Sequence, residues 1–238
     1  MKRLSVLKAQ ILDLLFPLQC CGCGKTGVIL CALCAGALTR IPPQCFVCRA
    51  WVPGTNMIPA GRTCLGCRPR SSIYAFLSPF SYQQDIVREL IHSLKYQRNR
   101  NIAPVLADMM ALYLVAMRVV FPQNAVLMPI PLHKTRERTR GFNQSLLIAM
   151  ALGERLMTKV EGGVLRKTKK TTPQMELRRE ERLRNLADSF MVISPPLVKG
   201  KLIVLVDDVR TTGATLEEAA RVLKQAGAKR IWAITIAH

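Results

Sequence analysis

The stretch Val204-Leu-Val-Asp-Asp-Val-Arg-Thr-Thr-Gly-Ala-Thr215 changes character halfway along. Its first part extends the apolar run begun by Leu202 and Ile203, of the kind buried on both faces of a parallel sheet. Asp207 and Asp208 follow, at what would be the carboxyl end of that strand, the edge where open α/β sheets place ligands. Thr211, Thr212, Gly213, Ala214 and Thr215 then lead into a helix predicted over 213–226 and ended by Gly227. The first turn of a helix carries free N–H groups and the positive end of the dipole, so a phosphate fits there. The threonine hydroxyls add donors, and Gly213 lets the backbone approach closely. Two adjacent carboxylates repel unless something uses both. The vicinal 2′ and 3′ hydroxyls of a ribose would, with Mg²⁺ or a nearby arginine easing the repulsion.

The string therefore reads as a ribose-5-phosphate cradle, with phosphoribosyl pyrophosphate or a similar sugar phosphate as its expected ligand. Arg210 is bulky for its place, and it either reaches toward the ligand or points to solvent. Thr215-x-x-Glu218 also reads as a capping box, which can coexist with phosphate binding. Paired Asp residues also occur at the metal sites of nucleotide hydrolases, but the chain has no Gly-x-x-x-x-Gly-Lys-Ser/Thr loop.

Working outward, strand and helix patterns alternate. Strand-like segments cover 73–82, 126–131, 164–166, 189–193 and 231–236. Helical segments cover 86–95, 104–120 and 144–157. This order predicts an α/β fold with a mainly parallel sheet. Residues 69–72 read as a linker.

The 238 residues carry 35 Lys and Arg against 15 Asp and Glu, a net charge of +20, and such a surface collects polyanions. Two basic segments flank the cradle and are read as loops. Lys134, Arg136, Arg138 and Arg140 follow the Pro129-Ile-Pro131 turn, and Gln144 starts the next helix. Arg166, Lys167, Lys169, Lys170, Arg178, Arg179, Arg182 and Arg184 lie in a connection long enough to be a functional lid. These segments could hold pyrophosphate or extend a track for a nucleic-acid backbone. A solvated charged helix is the blander reading of 176–186. For stacking bases, Phe142 looks best placed, with Tyr96 and Phe190 behind it.

The cysteines lie at the other end of the chain, none beyond Cys67. Cys20/Cys23, Cys31/Cys34, Cys45/Cys48 and Cys64/Cys67 form four Cys-x-x-Cys pairs, with Cys21 left over, either a bystander or a ligand in place of Cys20. Two such pairs supply the four-sulfur tetrahedral shell that Zn²⁺ prefers, so four pairs imply two structural zinc ions. Sequential pairing and an interleaved cross-brace both remain open. Disulfides would need an oxidising compartment. No hydrophobic run is long enough to span a bilayer. Met1-Lys2-Arg3 resembles the charged start of a signal peptide, but Lys8, Gln10 and Asp13 interrupt the apolar region that should follow. Leu4, Leu7, Ile11, Leu14, Leu15 and Leu18 recur at helical spacing, so 1–19 is read as an amphipathic helix.

Several motifs together resemble the ComF/ComFC (GntX-like) family of bacterial competence proteins: the Cys-x-x-Cys pairs, Met128-Pro-Ile-Pro-Leu132, Arg140-Gly-Phe-Asn-Gln144, Thr171-x-x-Gln174-x-x-Leu177, Arg182-x-x-Asn185 and the cradle. The resemblance implies a type I phosphoribosyltransferase-like domain over 71–238 behind a four-cysteine-type zinc module over 20–70. It implies natural transformation or DNA utilisation: a cytoplasmic protein that handles imported single-stranded DNA. The inner-membrane DNA-import machinery would be a further partner, and peripheral contact with that membrane an alternative location. By the same resemblance Asp207 and Asp208 match the ribose-binding acids and 211–215 the 5′-phosphate loop. Pro131 and Leu132 match the pyrophosphate loop, and 167–188, with Gln174 and Arg182, the flexible loop. Purine phosphoribosyltransferases of this type often carry a carboxylate base where Thr211 stands. An active phosphoribosyltransferase acting on a nucleobase or a DNA-derived acceptor is therefore the second reading of function.

Overall fold

A computed structural model describes residues 18–55, 59–169 and 188–238. The helix expected over 1–19 lies almost wholly outside these residues, as do Lys170, Gln174, Arg178, Arg179, Arg182 and Arg184. The described elements, in chain order, are α1 (Ala32–Gly36), a 3-10 turn (Leu65–Arg70), β1 (Ala75–Leu77), α2 (Asp85–Tyr96), α3 (Ile102–Ala116), β2 (Ala125–Pro129), α4 (Lys134–Arg140), α5 (Gln144–Leu156), β3 (Lys159–Val160), β4 (Leu165–Lys167), β5 (Phe190–Val192), β6 (Leu202–Val209), α6 (Ala214–Gln225) and β7 (Arg230–Ala237).

Five strands form one sheet in the order β1-β7-β6-β2-β3, and every pairing is parallel. Both faces are covered, as an all-parallel sheet requires. The strand side chains divide between two cores by the two-residue period. Val204, Val206, Trp232, Ile234 and Leu127 face the core formed with α2, α3 and α5. Ile203, Leu205, Ile231, Ala233 and Met128 face the core formed with α6. Helix α2 buries Val87, Leu90, Ile91 and Leu94, a stripe at helical spacing. Strands β4 and β5, expected as part of the α/β alternation, pair antiparallel with each other in a separate ribbon.

Three expectations are corrected. Helix α3 stops at Ala116 rather than running to 120, because Arg118 turns left-handed at φ 51 and the Val119 N–H bonds back to the Leu114 carbonyl at 2.9 Å. The basic segment 134–140 is a helix rather than a loop. His133 Nδ1 accepts from Thr135 N–H at its start, and Gly141 closes it at φ 83. Residues 69–72 are not a free linker, since Ser71 Oγ and the Ser72 N–H each donate to the Glu217 carboxylate at 2.6 Å. The Cys-rich segment is thus fastened to α6, and its Phe46, Ile29 and Ala60 are buried within the two cores.

Candidate functional site

Strand β6 carries Asp207 and Asp208 to the carboxyl edge of the sheet, beside the Ile130-Pro131-Leu132 turn that follows β2. The chain then turns through Arg210–Gly213 into α6. Gly213 is the N-cap, at φ 83. The Thr215-x-x-Glu218 capping box does not form, because Thr215 already lies inside the first turn. Glu218 instead accepts from the Asp188 N–H at 2.8 Å and from Arg221. Thr212 Oγ1 accepts from Ala214 N–H at 3.4 Å.

The two acids differ sharply. Asp208 is 3% exposed. Its Oδ1 accepts from the Val209 N–H at 2.8 Å, and its Oδ2 lies 2.6 Å from Lys95 Nζ. Burial alone would lower the Lys95 pKa, yet the Asp208 carboxylate, aided by Asp207, offsets this and leaves it raised. Asp207 is half-buried and faces the cavity, with Oδ1 accepting from Ser145 Oγ–H at 2.7 Å and Asp208 N–H at 2.9 Å. Burial and the neighbouring Asp208 charge push its pKa up, to about 7. Neither Lys95 nor Ser145 stands out in the sequence as a site residue, since each meets the acids only through the fold.

Around these acids lies a cavity of about 960 Å³. The structure brings Pro131, Leu132, Arg136, Arg140, Gln144, Lys167, Asp207, Asp208, Arg210, Thr211, Gly213 and Thr215 to its walls, together with Lys95, Tyr96 and Arg98. Lys134, Arg138 and Arg166 are exposed and lie outside it, as do Thr212 and Ala214. Arg98 and Arg100 donate to the Thr139 and Gly141 carbonyls at the end of α4, which ties that helix to the segment after α2. Arg140 bonds Gln144 and lies over the Tyr96 ring at 5.7 Å. Burial lowers the Lys167 pKa and the nearby Arg136 charge lowers it further, so an anion bound between them would relieve both.

Of the aromatics expected to stack bases, Phe142 and Phe190 are buried at 7% and 4% exposure, each under a cation, Arg100 and Lys167. Tyr96 is 66% exposed and lines the cavity. It is the most exposed of these three rings, with the His92 ring tilted against it at 4.8 Å.

Arg210 lines the cavity, yet its guanidinium is held inside the protein rather than in solvent. It is buried at 6% exposure, with its guanidinium 4.5 Å from the Phe46 ring centre and 4.9 Å from that of Phe76, and it donates to the Phe46 carbonyl at 2.5 Å. Phe46 lies inside the Cys45-x-x-Cys48 turn. A Cβ on Gly213 would stand 2.7 Å from Phe46 Cζ and 3.1 Å from Arg210 Nε. The loop read as a phosphate cradle is therefore packed against one of the cysteine turns.

The cysteine thiols gather sequentially: Cys20, Cys23, Cys31 and Cys34 in one set, Cys45, Cys48, Cys64 and Cys67 in the other, with the sulfurs of each set within 4.8 Å of one another. The leading turns share one hydrogen-bond pattern. The N–H groups of Gly24 and Arg49 bond to the carbonyls of Cys20 and Cys45, and those cysteines' N–H groups bond to the carbonyls of Lys25 and Ala50. Gly22 is required by proximity, since a Cβ there would meet Cys34 Sγ at 2.7 Å. Burial opposes ionisation of Cys20 and Cys45, but backbone N–H groups aimed at their sulfurs bring both to about 6. Cys34 and Cys64 are pushed up to about 12, chiefly because each keeps its proton to donate to a neighbouring sulfur. Four crowded sulfurs, with at least one in each set favoured as a thiolate, are a donor set that a thiophilic dication such as Zn²⁺ fits. Cys21 stands apart, half-buried against the core, with its pKa raised by burial and Glu89.

A parallel sheet with acids and a small-residue turn at its carboxyl edge defines a phosphoribosyltransferase-type domain, and residues 143–238 match the phosphoribosyl transferase domain family. Across most of its length the chain is 30% identical to the DNA utilization protein YhgH of Escherichia coli K12, over 212 residues that cover 86% of this chain and 89% of that one. It is 26% identical to competence protein F of Haemophilus influenzae, covering 91% and 95% of the two chains. It is 30% identical to competence protein ComFC of Bacillus subtilis, covering 83% and 72%. The chain belongs to this family of competence and DNA-utilisation proteins.

Proposed function

We propose that the protein handles single-stranded DNA during its uptake or use, in the cytoplasm, with a sugar-phosphate site at the carboxyl edge of its sheet. The observation that carries this reading is the cavity itself. Asp207, Thr211, Gly213 and Thr215 line it, as do Arg98, Arg136, Arg140 and Lys167 beside the exposed Tyr96 ring. Cations that track a backbone next to an aromatic face are what a single strand needs. A phosphorylated pentose, with phosphoribosyl pyrophosphate and Mg²⁺ as the first ligand to test, fits the helix N-terminus and the acid beside it. Zn²⁺ held in the two cysteine sets would keep the 20–67 segment folded.

Transfer chemistry on a nucleobase has less support. Among the described residues that line the cavity, the carboxylates are Asp207 and Asp208, and Asp208 is already engaged by Lys95. The test is affinity for a mixed-sequence single strand as a function of salt. Each phosphate contact contributes about 0.7 to the log–log slope, so Arg136→Ala should weaken binding and flatten the slope by roughly that amount. Salt-independent binding, or no binding at low salt, would overturn the proposal.

A further inference from the structure

Two carboxylates recognise a vicinal diol only if both can reach the sugar, and here one cannot. Asp208 Oδ1 is held by the Val209 N–H at 2.8 Å, Oδ2 by Lys95 Nζ at 2.6 Å, and the side chain is 5% exposed. Lys95 comes from the last turn of α2, a different wall of the cavity, and is itself largely covered at 18% side-chain exposure. The pair forms within the protein, between side chains of two different elements. Asp207 differs: its hydrogen bonds from Ser145 and Asp208 both go to Oδ1, and the carboxyl lines the cavity.

We infer that the site holds a pentose 5-phosphate by its phosphate and a single hydroxyl. It therefore accepts a 2-deoxyribose 5-phosphate unit as readily as a ribose one. That unit is 2-deoxyribose 5-phosphate itself or a free deoxynucleoside 5′-phosphate, whose 3′-hydroxyl is not esterified. The inference rests on the reading of 207–215 as a pentose-phosphate cradle, and names the sugar it takes. The physical reason is what happens when the 2-hydroxyl is missing. A site that relies on a hydroxyl rejects the analogue without it because a buried polar group loses its partner. Asp208 keeps Lys95 in either case, so nothing is left unpaired.

Calorimetric titration of the zinc-loaded full chain with 2-deoxyribose 5-phosphate and with ribose 5-phosphate tests this. The expected result is binding of both within about threefold. A hydrogen bond to a charged acceptor corresponds to about tenfold or more, so a ribose preference beyond threefold overturns the inference while leaving the cradle standing. Binding of neither sugar phosphate overturns the cradle reading itself. Lys95→Met supplies a readout that a merely structural lysine would not move. It frees Asp208 to accept a hydroxyl, and the preference for ribose should rise by about tenfold. An unchanged ratio in the folded variant would count against Lys95 as the residue that removes the second acid. If that variant does not fold, the wild-type comparison decides alone. Thymidine 5′-phosphate extends the test to a nucleotide: it should displace the bound sugar phosphate, and no displacement would overturn the extension to deoxynucleotides.

Discussion

Gly213→Ala tests whether the cysteine-rich segment braces the phosphate turn. Gly213 sits at φ 83, and an added Cβ would stand 2.7 Å from Phe46 Cζ, 3.1 Å from Arg210 Nε and 3.3 Å from Phe46 Cε2. Left-handed backbone costs a non-glycine residue about 1–2 kcal/mol. Displacing a ring that is already packed adds about 1–3 kcal/mol. Phe46 has little room to retreat. It is 5% exposed, its ring packs edge-on against Phe76 at 5.4 Å, and Arg210 lies over it. Gly213→Ala is therefore expected to lose about 2–5 kcal/mol in urea unfolding of the metal-loaded protein. Trimming the ring by Phe46→Leu should relieve the steric part but not the backbone part. The double variant should then be more stable than the sum of the single losses by about 1–2 kcal/mol. Strict additivity, or a loss below about 0.5 kcal/mol for Gly213→Ala, would refute the claimed contact.

Other consequences are equally concrete. Lys95→Met should cost about 3–5 kcal/mol, because it strands the buried Asp208 carboxylate; adding Asp208→Asn should recover much of the loss in denaturant titrations. Asp207 has its pKa raised from 3.8 to about 7 by burial and by Asp208, so the fold favours its protonated form. The stability this group confers is therefore present below its unfolded value and lost as pH rises through the folded value. Wild type should lose stability relative to Asp207→Asn between about pH 4 and 7, and parallel pH profiles of the two would contradict this. Protein purified without chelator should contain about two zinc ions per chain; stripping them should unfold the cysteine-rich segment and weaken sugar-phosphate binding together, through Phe46. Elemental analysis paired with calorimetry measures both.

Much of the sheet was legible in the sequence because its strands are buried on both faces and read as apolar runs, as in Leu202–Val206. The acids and the small-residue turn were visible for the same reason: an apolar run that stops at Asp207 marks a strand end. What escaped sequence reading depends on contacts between distant residues. Lys95 sits on a helix whose only local message is an amphipathic stripe, and its ion pair spans more than a hundred residues. Arg210 looked out of place until Phe46 and Phe76, from two other segments, supplied the faces it stacks on. The capping box at Thr215 and Glu218 was a true local signal that lost to Gly213, whose left-handed backbone starts the helix two residues earlier. Helix α4 is encoded by the Lys and Arg helix formers between its His133 and Gly141 caps, a signal that a run of like charges obscures. Phe142, an aromatic beside arginines, suggests stacking in the sequence, but its ring belongs to the core and Arg100 covers it.

The central claim is that one cavity serves both a pentose phosphate and a single strand. It is tested most directly by titrating phosphoribosyl pyrophosphate with Mg²⁺ into the zinc-loaded protein, alone and in the presence of saturating single-stranded DNA. The account expects competition: the apparent affinity for the sugar phosphate falls as the strand concentration rises, and Asp207→Asn weakens sugar-phosphate binding in the absence of DNA. Full-affinity binding of phosphoribosyl pyrophosphate to the DNA-saturated protein would place the two ligands at separate sites and contradict it.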